Sequence, residues 1–262
     1  MNDRIRRHWR DLVQSDLTWV PQADSERPVR GVTRGVWVKA NEDETQGFLK
    51  PTVPATAYCA AYEKIAADLA CEIGVNVPPV VLYERPDART GADRFVAISM
   101  APDGPCWGFR EPPDPIPAPV RASLQAALRS GCGGIALDAW LGNRNRSNPD
   151  NMLFALQEEE PVFYLDFSNS MDAAGTWSRG DFGHFEPLRL PFLLFDALCR
   201  NEVEFVTTRI QSLKEGVVTG IVERIPDNFM PASARRRTSE WLVWRKERVC
   251  TNIENWYPAR RG

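Results

Sequence analysis

Between residues 101 and 119 the chain carries seven prolines: Pro102, Pro105, Pro112, Pro113, Pro115, Pro117 and Pro119. Each fixes φ and removes a backbone donor, so the stretch can be neither a helix nor a central strand. It divides the chain into two parts of different character. Ahead of it lie short apolar runs bounded by turn residues, the pattern of strands. Behind it, apolar residues recur mostly at helical spacing.

In the first part, Leu17–Val20, Val36–Val38 and a run from Gly47 to Leu49 ending in Lys50-Pro51 are predicted strands, with 41–45 as the turn before the third. A short amphipathic helix is predicted over 3–14. Residues 55–73 are a predicted helix, because Ile65, Leu69 and Ile73 recur every four positions. Gly74 stands where a helix C-cap stands, and Pro78-Pro79 bar continuation. Strands follow at 80–83 and 95–100. In the second part, helices are predicted over 120–130, 135–141, 202–213 and 217–224, with one long helix over 233–255. Six tryptophans (Trp37, Trp107, Trp140, Trp177, Trp241 and Trp244) read as core or linker packing. The expected fold class is α+β: a β-rich part with one main helix (1–100), a proline-rich linker (101–119) and a larger, mostly helical part (120–262).

Within the helical part, residues 137–168 break the pattern. They read LDAWLGNRNRSNPDNMLFALQEEEPVFYLDFS. A loop crowded with Asn, Arg and Asp precedes an apolar run, Met152–Leu156. An acidic turn follows, then a second apolar run, Val162–Leu165, which ends on Asp166. Two short strands joined by a turn place Asn151 and Asp166 near each other at the strand ends. An amide oxygen and a carboxylate so placed suit Mg²⁺, a hard cation that shares oxygen ligands with substrate phosphates. This is the layout of a kinase catalytic loop followed by its metal-binding Asp.

Phosphoryl transfer needs a cation on the phosphates, an anchor for that cation, metal ligands, and a group to orient the attacking hydroxyl. Lys50 closes the third strand, and Glu63 lies on the following helix beside Ala66, Ala67 and Ala70. Alone, each is equally a surface residue; their order ahead of the 137–168 motif gives them weight. A literal Asp181-Phe182-Gly183 also spells a kinase metal-binding tripeptide. No apolar strand precedes it, and Asp166, which directly follows Val162–Leu165, is the better candidate. Arg30 and Arg34, beside Gly31 and Gly35, are weaker phosphate-binding candidates.

These segments resemble the HipA-like kinases, bacterial relatives of the protein and phosphoinositide kinases. The resemblance runs through FLKPT, YEKIAADLACEIGVNVPP, DAWLGNRNRSNPDNMLF, FYLDFSNS, IVERIPDNFMP and WLVWRKER, over most of residues 35–250. It implies a two-lobed protein-kinase-like fold, with a small β-rich N-lobe and a larger helical C-lobe. It implies ATP and Mg²⁺ as cofactors, and transfer of the γ-phosphate to a protein Ser/Thr hydroxyl. By position it places Lys50 on the phosphates with Glu63 as its partner. It puts Asn151 and Asp166 on the metal, and the backbone of Ser99, Met100 and Ala101 against the adenine. The family's loop reads Gly-Asn-x-Asp-Arg; here it is Gly142-Asn143-Arg144-Asn145-Arg146. Asn145 cannot accept a proton as a carboxylate does. Asp150 is a possible substitute or simply a turn residue. The alternative is a nucleotide-binding pseudokinase or regulatory module.

Composition excludes other classes. A net charge of −3 argues against a general nucleic-acid binder. Six scattered single cysteines without a C-x-x-C pair, and only two histidines, leave no basis for a zinc site. Such cysteines fit a reducing cytoplasm. No run approaches the roughly 18 consecutive apolar residues of a membrane span, and the charged first residues do not read as a secretory signal. The expectation is a cytoplasmic protein with an unidentified protein substrate or partner, and any antitoxin-like partner on a separate chain.

Overall fold

The computed structural model describes residues 9–22, 35–42, 45–50, 58–86, 88, 94–102, 106–108, 126–129, 131–143, 146, 151–155, 162–171 and 197–256. Five strands form one antiparallel sheet: β1 (Trp19–Pro21), β2 (Val36–Ala40), β3 (Gln46–Lys50), β4 (Val80–Glu84) and β5 (Phe95–Met100), in the order β1-β2-β3-β5-β4. The sheet curls. Gln14 bridges to Leu82 on the β4 edge, where Ser15 N donates to Leu82 O at 2.9 Å. A few residues later the same chain, as β1, pairs with β2 at the opposite edge. One short segment can reach both edges only if they lie close together.

Side chains alternate between the two faces of this sheet. Val38, Ala40, Leu49, Val81, Tyr83, Val96, Ile98 and Met100 fill the inside of the curl with Trp9 and Trp19. Val80, Leu82 and Ala97 face the other way, into the core built on helix α1 (Cys59–Ile73). Because Leu49 points into the curl, Lys50 points out of it, on the α1 side, opposite Ala97 in the register.

Helix α1 is rich in Ala and free of Gly and Pro, so its propensity is high. Gly74 ends it in the left-handed conformation at φ 74°. Sequence periodicity predicts a single apolar stripe, but the helix is buried on all sides, with only Cys71 and Glu72 less than buried. The sheet covers one flank and later helices the other, so the charged residues Glu63, Lys64 and Asp68 are enclosed too.

The rest comprises helices α2 (Gly133–Leu141), α3 (Ala197–Ser212), α4 (Glu215–Glu223), α5 (Ala232–Lys246) and α6 (Val249–Trp256). With them is an antiparallel sheet of β6 (Cys106–Gly108), β7 (Met152–Ala155) and β8 (Val162–Tyr164), in the order β6-β7-β8. Every residue of α2 is buried.

Four details differ from the sequence reading. β6 forms inside the proline-rich stretch, in the proline-free triplet Cys106–Gly108, and at a sheet edge where one ladder suffices. The single helix predicted over 233–255 is two. Arg248 N bonds to Arg245 O in a tighter turn, and the restart turns Val249 and Ile253 into the core. Trp244 is not core: it is 36% exposed, with Arg248 stacked over it at 4.1 Å. Finally, Cys132, at the N-cap position of α2, and Cys199 of α3 form a disulfide, with their Cα atoms 5.4 Å apart. Helix packing brings together positions 67 residues apart, so the cysteine pattern no longer argues for a reducing compartment. Among the described residues no helix is long and apolar enough to cross a membrane.

Candidate active site

Lys50, Glu63 and Asp166 meet in one place. Lys50 Nζ lies 2.8 Å from Glu63 Oε1 and 3.6 Å from Asp166 Oδ1. Three elements supply them: the end of β3, the first half of α1 and the turn after β8. Glu63 ties the group together, because its Oε1 also accepts the backbone N–H of Phe167 at 3.1 Å. Asp166 itself is left-handed, at φ 59°, a conformation that costs a non-glycine residue energy and that Asp tolerates better than most. Ser168 Oγ donates to its Oδ1 at 2.6 Å.

The electrostatics follow from one ammonium facing two carboxylates in a buried site. Burial alone would lower the Lys50 ammonium, but Glu63 and then Asp166 outweigh it and hold it above its ordinary value. Burial pushes the Glu63 carboxyl up, and the neighbouring Asp166 charge adds to that against the pull of Lys50. Asp166 goes the other way. Burial is overcome by Lys50, the Ser168 hydrogen bond and Arg146, so it stays ionised below its ordinary value. With both carboxylates ionised, the trio carries one more negative than positive charge, which suits a further cation.

Asn151 immediately precedes β7 and is buried. Its carbonyl accepts Leu165 N at 2.8 Å, which extends the β7–β8 ladder by one step. Asn151 and Asp166 therefore stand at the same end of one hairpin. An amide and an ionised carboxylate there are oxygen donors of the kind Mg²⁺ takes. Among the described residues, no three His, Cys, Asp or Glu side chains cluster as metal ligands. Mg²⁺ commonly completes its shell with water and phosphate oxygens.

Ser99 and Met100 end β5, and Ala101 follows. Met100 N donates to Pro79 O at 2.9 Å and Ala101 N to Gln46 O at 3.0 Å, so both amides are used by the sheet. Ser99 lies opposite Phe48 in the register, on the face that carries Lys50. Asn145, Asp150, Arg30, Arg34, Gly31 and the Asp181–Gly183 tripeptide lie outside the described residues.

Sequence reasoning missed the group that organises the loop. Arg146 is fully buried; its Nε is 2.7 Å from Asp138 Oδ2 and its Nη2 3.1 Å from Asp138 Oδ1. Its Nη1 donates to Leu165 O at 2.7 Å and also to Asn151 O. The guanidinium thus bridges α2 to both strand ends that lead to the site. Asn143 Nδ2 donates to Asp138 Oδ1 at 2.9 Å. A signal was present: an aspartate inside the apolar run LDAWL must be paired if it is buried.

No protein-family model matches the chain, and no curated protein matches it. Among solved structures, the chain is similar to a Helicobacter pylori proinflammatory kinase, CtkA, with a TM-score of 0.59 at 12% identity over 88% of this chain and 93% of that one. A Neurospora crassa PAN3 pseudokinase mutant aligns with a TM-score of 0.33 at 11% identity, over 98% of this chain and 70% of that one, too low to carry any argument. The first shows the fold alone, which is protein-kinase-like.

Proposed function

We propose that this chain is an ATP- and Mg²⁺-dependent kinase of HipA-like type, which transfers the γ-phosphate to a Ser or Thr hydroxyl of a protein. The lobes are residues 1–100 and 120–262, with 101–119 between them. The observation that carries the reading is the meeting of Lys50, Glu63 and Asp166 on a kinase-like fold. A buried ammonium between two carboxylates stabilises a fold poorly and suits a polyanion and a cation well.

In this reading Lys50 binds the α- and β-phosphates and Glu63 fixes its direction. Asn151 and Asp166 would hold a Mg²⁺, which would supply charge neutralisation on the transferring phosphoryl group. Glu63 is also anchored on Phe167 N, so it would stay in place if Lys50 turned toward a phosphate. The Ser99–Ala101 segment faces the base, with hydrogen bonds from groups other than the Met100 and Ala101 amides. In the sequence motif, Asn145 occupies the position of the base. A positioned base contributes about 10²- to 10⁴-fold, so turnover is slow unless Asp150 serves.

The test is phosphotransfer from γ-labelled ATP with Mg²⁺, to the protein itself and to a cell lysate. Labelling by the natural protein and its loss in Asp166→Ala support the proposal. No label on any protein, or an Asp166→Ala variant as active as the parent, defeats it. Label from α-labelled ATP would instead mark nucleotide transfer. The pseudokinase reading rests on Asn145: an inactive parent that gains turnover on Asn145→Asp supports it.

A further inference from the structure

Helix α1 carries a second charged group that the proposed chemistry does not use. Lys64 Nζ donates to Asp68 Oδ1 at 2.8 Å and to Arg10 O at 3.2 Å. The other Asp68 oxygen, Oδ2, accepts Arg224 Nη2 at 3.0 Å, from the end of α4. At about 100° per residue, Asp68 sits roughly 140° round the helix from Glu63. The contact therefore lies on a different flank from the one that meets Lys50. One turn on, Arg209 of α3 donates to Glu72 O at 3.3 Å.

The chain that follows Arg224 continues this grip. Asn228 Nδ2 donates to Glu84 Oε2 at 3.0 Å, and the Phe229 ring meets Phe95 edge-on at 5.2 Å, so the turn after α4 holds both strands of the β4–β5 pair. Ile225, Phe229 and Met230 are buried beneath it. Arg235 of α5 braces the turn, donating to Ile225 O at 2.9 Å and to Met230 O at 2.7 Å. The segment is IVERIPDNFMP, whose conspicuous spelling the active-site chemistry does not explain.

A buried pair such as Lys64–Asp68 is a poor source of stability but a sharp determinant of position. A one-residue slip of α1 moves it about 1.5 Å along its axis and turns it about 100°. Either motion takes Asp68 away from Arg224 and Glu63 away from Lys50 together. We propose that Arg224 and the 225–231 turn are a rear latch that sets the rotation and depth of α1, and so keeps Glu63 on Lys50. Arg224 and Asn228 are then positioning residues for phosphate binding. The inference rests on the reading of Lys50 as the phosphate-binding group.

The experiment compares Mg²⁺-ATP and adenosine binding by calorimetry in the natural protein, Arg224→Gln, Arg224→Lys and Asn228→Ala. The Arg224 side chain is 44% exposed, so its replacement opens no buried cavity. Adenosine lacks phosphates and reports the base site alone. Expected is a loss of ATP affinity of about five- to tenfold in Arg224→Gln, the lower range of couplings between distant groups. Adenosine binding is unchanged, Arg224→Lys recovers the ATP affinity, and Asn228→Ala shows a smaller loss of the same kind. A variant that keeps the natural ratio of ATP to adenosine affinity, or that loses both ligands in parallel, overturns the latch. A natural protein that binds ATP no better than adenosine overturns the Lys50 reading itself, and the latch with it.

Discussion

Replacing Arg146 by Met should be among the most damaging single changes in the chain, and its cost should depend on pH. The substitution keeps an unbranched apolar stem but is shorter, and it leaves unfilled the place of the guanidinium, which lies 5.1 and 5.0 Å from the Tyr164 and Phe167 rings. It removes the charge that faces Asp138. Burial already pushes the Asp138 carboxyl up, and Arg146 followed by Asn143 opposes that. Without Arg146 a buried carboxylate is left with one amide, a loss of about 3–5 kcal/mol. Protonation sets a ceiling: neutralising a carboxyl of ordinary pKa near 3.9 at pH 7 costs about 4 kcal/mol at 1.36 kcal/mol per unit. Leu165 O and Asn151 O each lose a donor, which adds about 1 kcal/mol or more. The sum, roughly 4–6 kcal/mol, is a large part of the 5–15 kcal/mol typical of a folded chain. The sign with pH follows from linkage. In the variant the folded Asp138 pKa lies above the unfolded value, so the folded state holds the extra proton and stability falls as pH rises between the two. At pH 5 the ceiling drops to about 1.5 kcal/mol. Urea unfolding followed by the fluorescence of the nine tryptophans measures this at both pH values. The double variant Asp138→Leu with Arg146→Met should recover part of the loss, because the stranded charge is gone. A deficit under about 1 kcal/mol at pH 7, or one that grows on acidification, would refute the reasoning.

Three further outcomes follow from the same structure. Gly134→Ala places a methyl group inside the van der Waals envelope of the Tyr164 ring, whose hydroxyl donates to Gly131 O, so it should cost about 1–3 kcal/mol by thermal or urea unfolding. Cys132 and Cys199 should resist alkylation in the unreduced, denatured protein, and reducing this disulfide, which spans 67 residues, should cost about 4 kcal/mol if loop closure dominates; free thiols at both positions would contradict the pairing. Asn145→Asp should raise the rate of phosphotransfer by about 10²-fold or more if the loop lacks only its base, and an unchanged rate would shift that role to Asp150.

The five strands of the first sheet, helix α1 and its Gly74 cap were legible because they obey local rules: alternation, helical spacing and a glycine free to adopt positive φ. Lys50, Glu63 and Asp166 could be named individually, but nothing local says that the three converge. That depends on the sheet register, which turns Lys50 to the α1 face, and on the fold of the turn after β8. Arg146 was passed over because its partners are backbone carbonyls and one aspartate on another element, contacts with no spacing rule. Trp244, expected in core or linker packing, is exposed instead, because a tryptophan's size says nothing about which side of α5 faces water.

The sequence by itself determined where most of the helices and strands form, because backbone propensity and apolar periodicity act over a few residues; β6 and the break after Lys246 were not among them. It also contained the chemistry available: Lys50 at a strand end, Glu63 on the next helix, and an asparagine and an aspartate at the ends of a hairpin. Tertiary structure decided which of those groups share a site, that α1 is enclosed on every side rather than on one stripe, and that Cys132 meets Cys199. These are distances between residues far apart in the chain, and they are set by how whole elements pack. Side-chain type restricts what a contact can do once made; only packing decides whether it is made.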